Sequence, residues 1–289
     1  MPFYADGIII ISLHKEKIPM RTGLLIGVIV IALLSGTALA KLEINTILMH
    51  YTYFIEGPTG KPNEKTGGTT FVMAIPDANR PGKGKYVLIT AAHVLEKISG
   101  ETATIYLRKK MSDGKFKKVG HVFQIRKGKN SLWVRHPDVD VAVMKIGLPV
   151  FVAKQAKEIP ILTTDLLADD KIMERFEIHP GDELLCLGYP LRANVSGFSI
   201  LRSGKIASYP LLPAKDTKMF LFDFEIFQGN SGGPVYFVDK GRSYDGSTHL
   251  GETVQFVVGI VTRQHEKLRL AIVVPAHFIK ETLALLDKK

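Results

Sequence analysis

The sequence predicts an all-β protein, a barrel or a sandwich. Short runs rich in β-branched and aromatic residues recur between residues 66 and 274, and Gly, Pro, Asn or Asp close them. Short strands at such spacing mark barrels and sandwiches. Helical periodicity of any length comes only at the end, where Pro275 introduces Ala276–Leu286 with apolar residues at 278, 279, 283 and 286. No repeat of 20–50 residues points to a solenoid or propeller.

The elements follow in order. Residues 41–64 join a short apolar piece, Ile47–Phe54, to a Gly/Pro/Lys loop. Thr66–Ile75 reads as a strand, Pro76–Lys85 as a polar hairpin and Tyr86–Thr90 as the returning strand. His93–Ile98 fits one helical turn. Ala103–Leu107, Lys117–Arg126 and Leu132–Arg135 are further strands, followed by one that Asp140 opens. Residues 148–180 lose the periodicity and read as a connection. A second set starts within Gly181–Pro190 and continues through Phe198–Ser208, Met219–Phe224, Val235–Val238, Gln255–Arg263 and Leu268–Val274.

The 289 residues are 46% hydrophobic, enough for one large or two small cores. The net charge of +10 is spread over Arg108–Lys110, Lys115, Lys117, Lys118 and Arg126–Lys129. Scattered cations of this kind are solvated hairpin faces, and no nucleic-acid partner is expected. Met20-Arg21, the apolar Leu24–Leu34 and Ala38-Leu39-Ala40 form a signal peptide with a cleavage site, so residues 1–40 are expected to direct export. Residues 1–19 fit an upstream extension, since Met20 would itself serve as a start. The destination is periplasmic or extracellular, with membrane anchoring by residues 24–40 if the segment stays uncleaved. Cys186 is the one cysteine and sits in an apolar run, which suits a buried inert thiol. Asn194-Val-Ser196 is a glycosylation sequon, relevant only in a eukaryotic secretory route.

Chemistry concentrates in Gln228–Val235, where Ser231 lies among three glycines. Glycine permits positive φ and close backbone approach, so the loop can hold Oγ in the open. The amides of Gly229 and Ser231 can then face one way, as an oxyanion hole requires. A serine hydroxyl needs a base, and His93 follows the apolar run that begins at Tyr86. An acid to orient that base is available at Asp138 or Asp140, two apart and on the same side of an extended strand. Spacing alone leaves the two open. Gly229–Gly233 also fits the G-x-S-x-G elbow of α/β-hydrolases, but that fold needs its acid and histidine after the serine, among alternating helices. His14, His50, His121, His136, His179, His249, His265 and His277 lack a comparable context and read mostly as surface residues. None has H-E-x-x-H spacing, so no metal and no cofactor is expected.

Thr90–His93, Asp140–Val143 and Gly229–Pro234 together resemble the three signature blocks of chymotrypsin-like (trypsin-fold) serine proteases, in the order His, Asp, Ser. Val258–Thr262 and Ile272–Ala276 resemble the closing strands of the high-temperature-requirement (HtrA-like) branch. The 14 residues after Pro275 leave no room for the PDZ module common there. Gly68–Phe71 is a near match to a Gly-Thr-Gly-Phe stretch, with Thr70 where glycine is usual. The resemblance implies two antiparallel six-stranded β-barrels with a short C-terminal helix. Residues 41–147 would form the first barrel, 148–180 the connection and 181–289 the second barrel. It implies a serine endopeptidase in which Ser231 is the nucleophile, His93 the base and Asp140, directly before the Val-Ala-Val strand, the acid. Gly229 and Ser231 would hold the oxyanion, and Glu225, Gly259 and Val261 would line the substrate pocket. Asn230 stands where the trypsin branch has the aspartate that receives a new N-terminus, so activation of that type is not expected. Substrates would be proteins or peptides, unfolded chains included. The rival readings are a silent protease-fold binding protein and an esterase with the same triad.

Overall fold

The computed structural model describes residues 43–77, 79, 84–193 and 197–288. The expected signal peptide, the sequon at Asn194–Ser196 and the tip of the 76–85 hairpin lie outside the described residues.

The piece before the first expected strand divides in two. Helix α1 (Ile44–Tyr51) buries Ile44, Ile47, Leu48 and Tyr51, a stripe at i, i+3, i+4 and i+7. Strand β1 (Thr52–Pro58) follows at once and is buried almost throughout. The first half continues with β2 (Lys65–Pro76), β3 (Gly84–Thr90), α2 (Ala92–Glu96), β4 (Thr102–Lys110), β5 (Phe116–Gln124), the ribbon β6 (Arg126–Lys127) and β7 (Asn130–Ser131), β8 (Val134–Arg135) and β9 (Ala142–Lys145). Its main sheet is antiparallel in the order β5-β4-β1-β2-β3-β9-β8.

The fold class is as expected, but of the two six-stranded barrels expected the first is not closed. Seven strands, not six, make the first sheet, and among the described residues β5 and β8 do not pair. The chain between them turns off into the β6–β7 ribbon, and β8 is only two residues long, where Leu132–Arg135 was expected. Side chains tie down the chain between these two strands. Arg126 donates to the carbonyls of Ile98 at 2.6 Å, Gly100 at 2.9 Å and Leu95 at 2.8 Å. Its guanidinium lies 6.0 Å from the ring of buried Trp133.

The connection carries two short helices, α3 (Val150–Gln155) and α4 (Asp170–Arg175). The Asp169 carboxylate caps α4 by accepting from the Ile172 amide. Single bridges tie the connection to both halves, Ala74 to Thr163 and Leu167 to Val257.

The second half comprises β10 (Glu183–Gly188), β11 (Ile200–Ile206), α5 (Ala214–Thr217), β12 (Phe220–Asp223), β13 (Pro234–Lys240), the ribbon β14 (Ser243–Tyr244) and β15 (Ser247–Thr248), β16 (Thr253–His265), β17 (Leu270–Pro275) and α6 (Ala276–Leu286). Six of these strands close a barrel, β10-β11-β12-β17-β16-β13. Closure leaves no edge with unpaired amides and carbonyls. Phe222, Val235, Val261 and Val273 fill the interior. Cys186 is buried there too, and burial pushes its thiol up to about 12. Helix α6 spans the residues that its apolar spacing predicts. It buries Phe278, Ile279, Leu283 and Leu286 and packs on β8, β9 and β16, so it spans both halves. Arg108, 2% exposed, also joins the halves, donating to the Tyr189 hydroxyl at 2.8 Å and to the carbonyls of His50 and Met49.

Candidate active site

His93 lies in the first turn of α2, directly after β3. Val87–Thr90 are buried, so the strand end that delivers the imidazole is fixed. One carboxylate then grips it twice. Asp140 Oδ2 lies 2.6 Å from His93 Nδ1, and Oδ1 accepts the His93 backbone N–H at 2.9 Å. A carboxylate on Nδ1 holds the ring proton there and leaves Nε2 as the free acceptor. Burial works to raise the Asp140 carboxyl. The bonds from His93 and the nearby Arg135 charge outweigh burial and hold it below its ordinary value. Asp138, the other acid left open by spacing, is exposed, and its amide turns toward His136.

The serine loop runs into β13. Gly232 N–H donates to Val261 O at 2.7 Å and Val261 N–H to Gly233 O at 3.0 Å, which staples the loop to β16. The first half holds its other side. Thr69 Oγ1 donates to Gly229 O at 2.6 Å, and Thr69 N–H to Ser231 O at 2.8 Å. Gly229 has φ +103°, and a Cβ there would stand 2.2 Å from Tyr189 O. Gly232 has φ +87°, with Thr69 O 2.1 Å from where a Cβ would sit. No other residue type fits either position.

This bonding sorts the loop amides into two groups. Asn230 N–H donates to Phe227 O and Gly233 N–H to Asn230 O, while Gly232 is tied to β16. Among the described residues nothing accepts from the amides of Gly229 and Ser231. These are the two donors that the sequence assigns to an oxyanion. The Ser231 hydroxyl donates to Thr262 O at 2.8 Å, and among the described residues no hydrogen bond joins it to His93. Thr262 sits at an irregularity in the β16–β17 register between Val261 and Arg263. Such bulges re-aim backbone groups beside active sites. Asn230 is 2% exposed and packs with Oδ1 against Gly188.

The residues expected to line the pocket lie on and beside the second barrel. Val261 is fully buried inside the second barrel, and Gly259 is pressed against Val274 O. A cleft of about 250 Å³ lies beside them, lined by Asp138, Asp140, Lys218, Thr262 and Arg263 among others. Glu225, half buried, is not among its lining residues.

His136, one of the eight histidines read mostly as surface residues, is 4% exposed. Thr69 and Thr262 escaped sequence reading, since their work is done by a side chain and a carbonyl outside the signature blocks. Thr69 lies within the Gly68–Phe71 near match, which is the signal that points to it.

A family model described as trypsin-like peptidase domain matches residues 68–243. Among solved structures, the protease Anisep from Arthrobacter nicotinovorans is 12% identical with a TM-score of 0.49, covering 84% of this chain and 98% of that one. An active-form protease from M. tuberculosis is 18% identical at TM-score 0.43, covering 83% and 82%. The thermostable serine protease AL20, from an extremophilic microorganism, is 11% identical at TM-score 0.47, covering 81% and 95%. No curated protein matches the sequence.

Proposed function

The chain belongs to the trypsin-like peptidase family and is a serine endopeptidase, and from that premise we propose that Ser231, His93 and Asp140 carry the reaction. The observation behind this reading is the double hold of Asp140 on His93, which leaves Nε2 as the free acceptor.

The hydroxyl of Ser231 leaves Thr262 O by rotation about χ1 and turns to His93. Oγ attacks the scissile carbonyl carbon while its proton passes to Nε2. The carbonyl oxygen becomes an anion held by the N–H groups of Gly229 and Ser231. The C–N bond breaks as His93 returns the proton to the amine, leaving an acyl-enzyme. Water then attacks the ester, His93 takes its proton and gives it to Ser231, and the acid product leaves. Asp140 keeps the imidazole oriented and stabilises its cationic form.

Substrates are proteins or peptides, entering between the halves as extended, unfolded segments. Export is part of the proposal, supported by the charged, apolar and Ala38–Ala40 pattern. An N-terminus at Lys41 in protein recovered outside the cytoplasm is the expected result. Ser231→Ala should lower kcat on the order of 10⁶-fold with the fold intact. Full peptidase activity in that variant would end the triad assignment.

A further inference from the structure

One buried histidine outside the proposed triad has its tautomer dictated by its neighbours. His136 Nδ1 faces two backbone donors, the N–H of Asp138 at 3.1 Å and of Val139 at 3.3 Å. A ring nitrogen that accepts carries no hydrogen, so the proton of neutral His136 sits on Nε2. Nε2 donates to Glu281 Oε2 on α6 at 3.1 Å. The edge of the contact is closed by Phe278, its ring centroid 5.1 Å away in a T-shaped arrangement.

The backbone around this ring forms a turn. His136 N–H donates to Val141 O at 2.9 Å, and Val141 N–H to Val139 O at 3.0 Å. The amides of Asp138 and Val139 are thus drawn inward to the imidazole, and the next residue is Asp140. A side chain that accepts the amide two residues on is the device of an Asx turn. Here the device is a ring anchored at its far end to a helix 145 residues along the chain.

We infer that His136 is a positioning residue, acting through the 138–141 turn to hold Asp140 against His93. The inference rests on the proposed triad. Glu281 suits the anchoring role because it is ionised. Burial works to raise its carboxyl, but the bond from His136 and the positive charge around it hold it below the usual range. His277 lies 3.3 Å from Glu281 and 3.8 Å from Asp170, and Lys215 lies 3.9 Å from Glu281. Arg135 donates to the carbonyls of His136 and Pro137, steadying the turn from outside.

Two amide variants separate the ends of the ring. His136→Asn places a carbonyl oxygen near the Nδ1 position, within reach of the turn amides but not of Glu281. His136→Gln extends toward Glu281 and abandons the turn. The expected result is that Asn keeps kcat within about tenfold, whereas Gln loses about 100-fold at nearly constant KM, the scale of a 1 Å misplacement. The low-field NMR signal of the proton between His93 and Asp140 should survive in Asn and broaden or vanish in Gln. Equal losses, the reverse order, no loss in Gln, or failure of the Asn variant to fold would each overturn the inference. Fluorophosphonate labelling of Ser231 in the wild-type protein tests the triad separately, because it fails if the triad is wrong and is untouched if only His136 is misassigned.

Discussion

The second half of the molecule closes six strands into a barrel, whereas the first holds seven in a sheet whose edge strands β5 and β8 do not pair among the described residues. The proposed catalytic groups divide along the same line. The half with the open sheet supplies His93 and Asp140, each at a strand end or turn and each partly exposed. The closed half supplies Ser231, on a loop stapled to an interior strand. A closed ladder satisfies its own backbone, so it can carry a strained, glycine-rich loop at its rim. The open sheet depends on neighbours, and α6 is the main one, with Glu281 reaching His136 and apolar residues covering β8 and β9. The strand ladder is therefore self-contained in one half, whereas the sheet of the other takes cover from α6.

Three experiments sharpen or break this contrast. The largest effect should come from Asp140→Asn, which keeps the shape but loses the charge that selects the His93 tautomer. A drop of about 10⁴-fold in kcat is expected by comparison with other triads. A change under tenfold in steady-state peptide hydrolysis would show that the Asp140–His93 pair is structural only.

Next is packing. Phe222→Ala in the closed barrel removes a fully buried ring that stacks edge-on with Phe224 at 4.4 Å. It should lower unfolding free energy by about 3–5 kcal/mol in urea titrations. Val122→Ala on β5, at the open edge and 62% exposed, should cost under about 0.5 kcal/mol. Comparable losses would mean that the two halves are equally dependent on their strands.

The smallest effect is on pH. The folded-state pKa of Asp140 is lowered, so its contribution is fully present above the ordinary value of 3.8 and is lost as pH falls through the folded value. The stability gap between wild type and Asp140→Asn should narrow as pH falls through that folded value. A gap that widens there would contradict the sign.

Much of this was legible from residues alone. The strand runs were marked by β-branched residues and turn signals, and α6 by its apolar spacing. The blocks around His93, Asp140 and Ser231 named the three candidate groups, because each chemistry requires a particular residue type. What escaped depended on distant partners. Ile44–Tyr51 carries a helical stripe, but its β-branched and aromatic content ran on into β1 without a break. The open edge beyond β5 follows from a two-residue β8 that no local pattern sets. His136 reads as a surface residue until α6 brings Glu281 to it. Thr262 lies at a register irregularity of β16 that no local residue pattern marks.

One strand serves both proposed reacting groups. Thr69 of β2 clasps the serine loop through its hydroxyl and its amide, while β3, which ends at Thr90 just before His93, pairs with β2. The proposed nucleophile and base are thus gauged from a common reference. Breathing of the two halves should displace both together, so the distance between them tolerates relative motion that would misalign a site assembled across an unbridged seam.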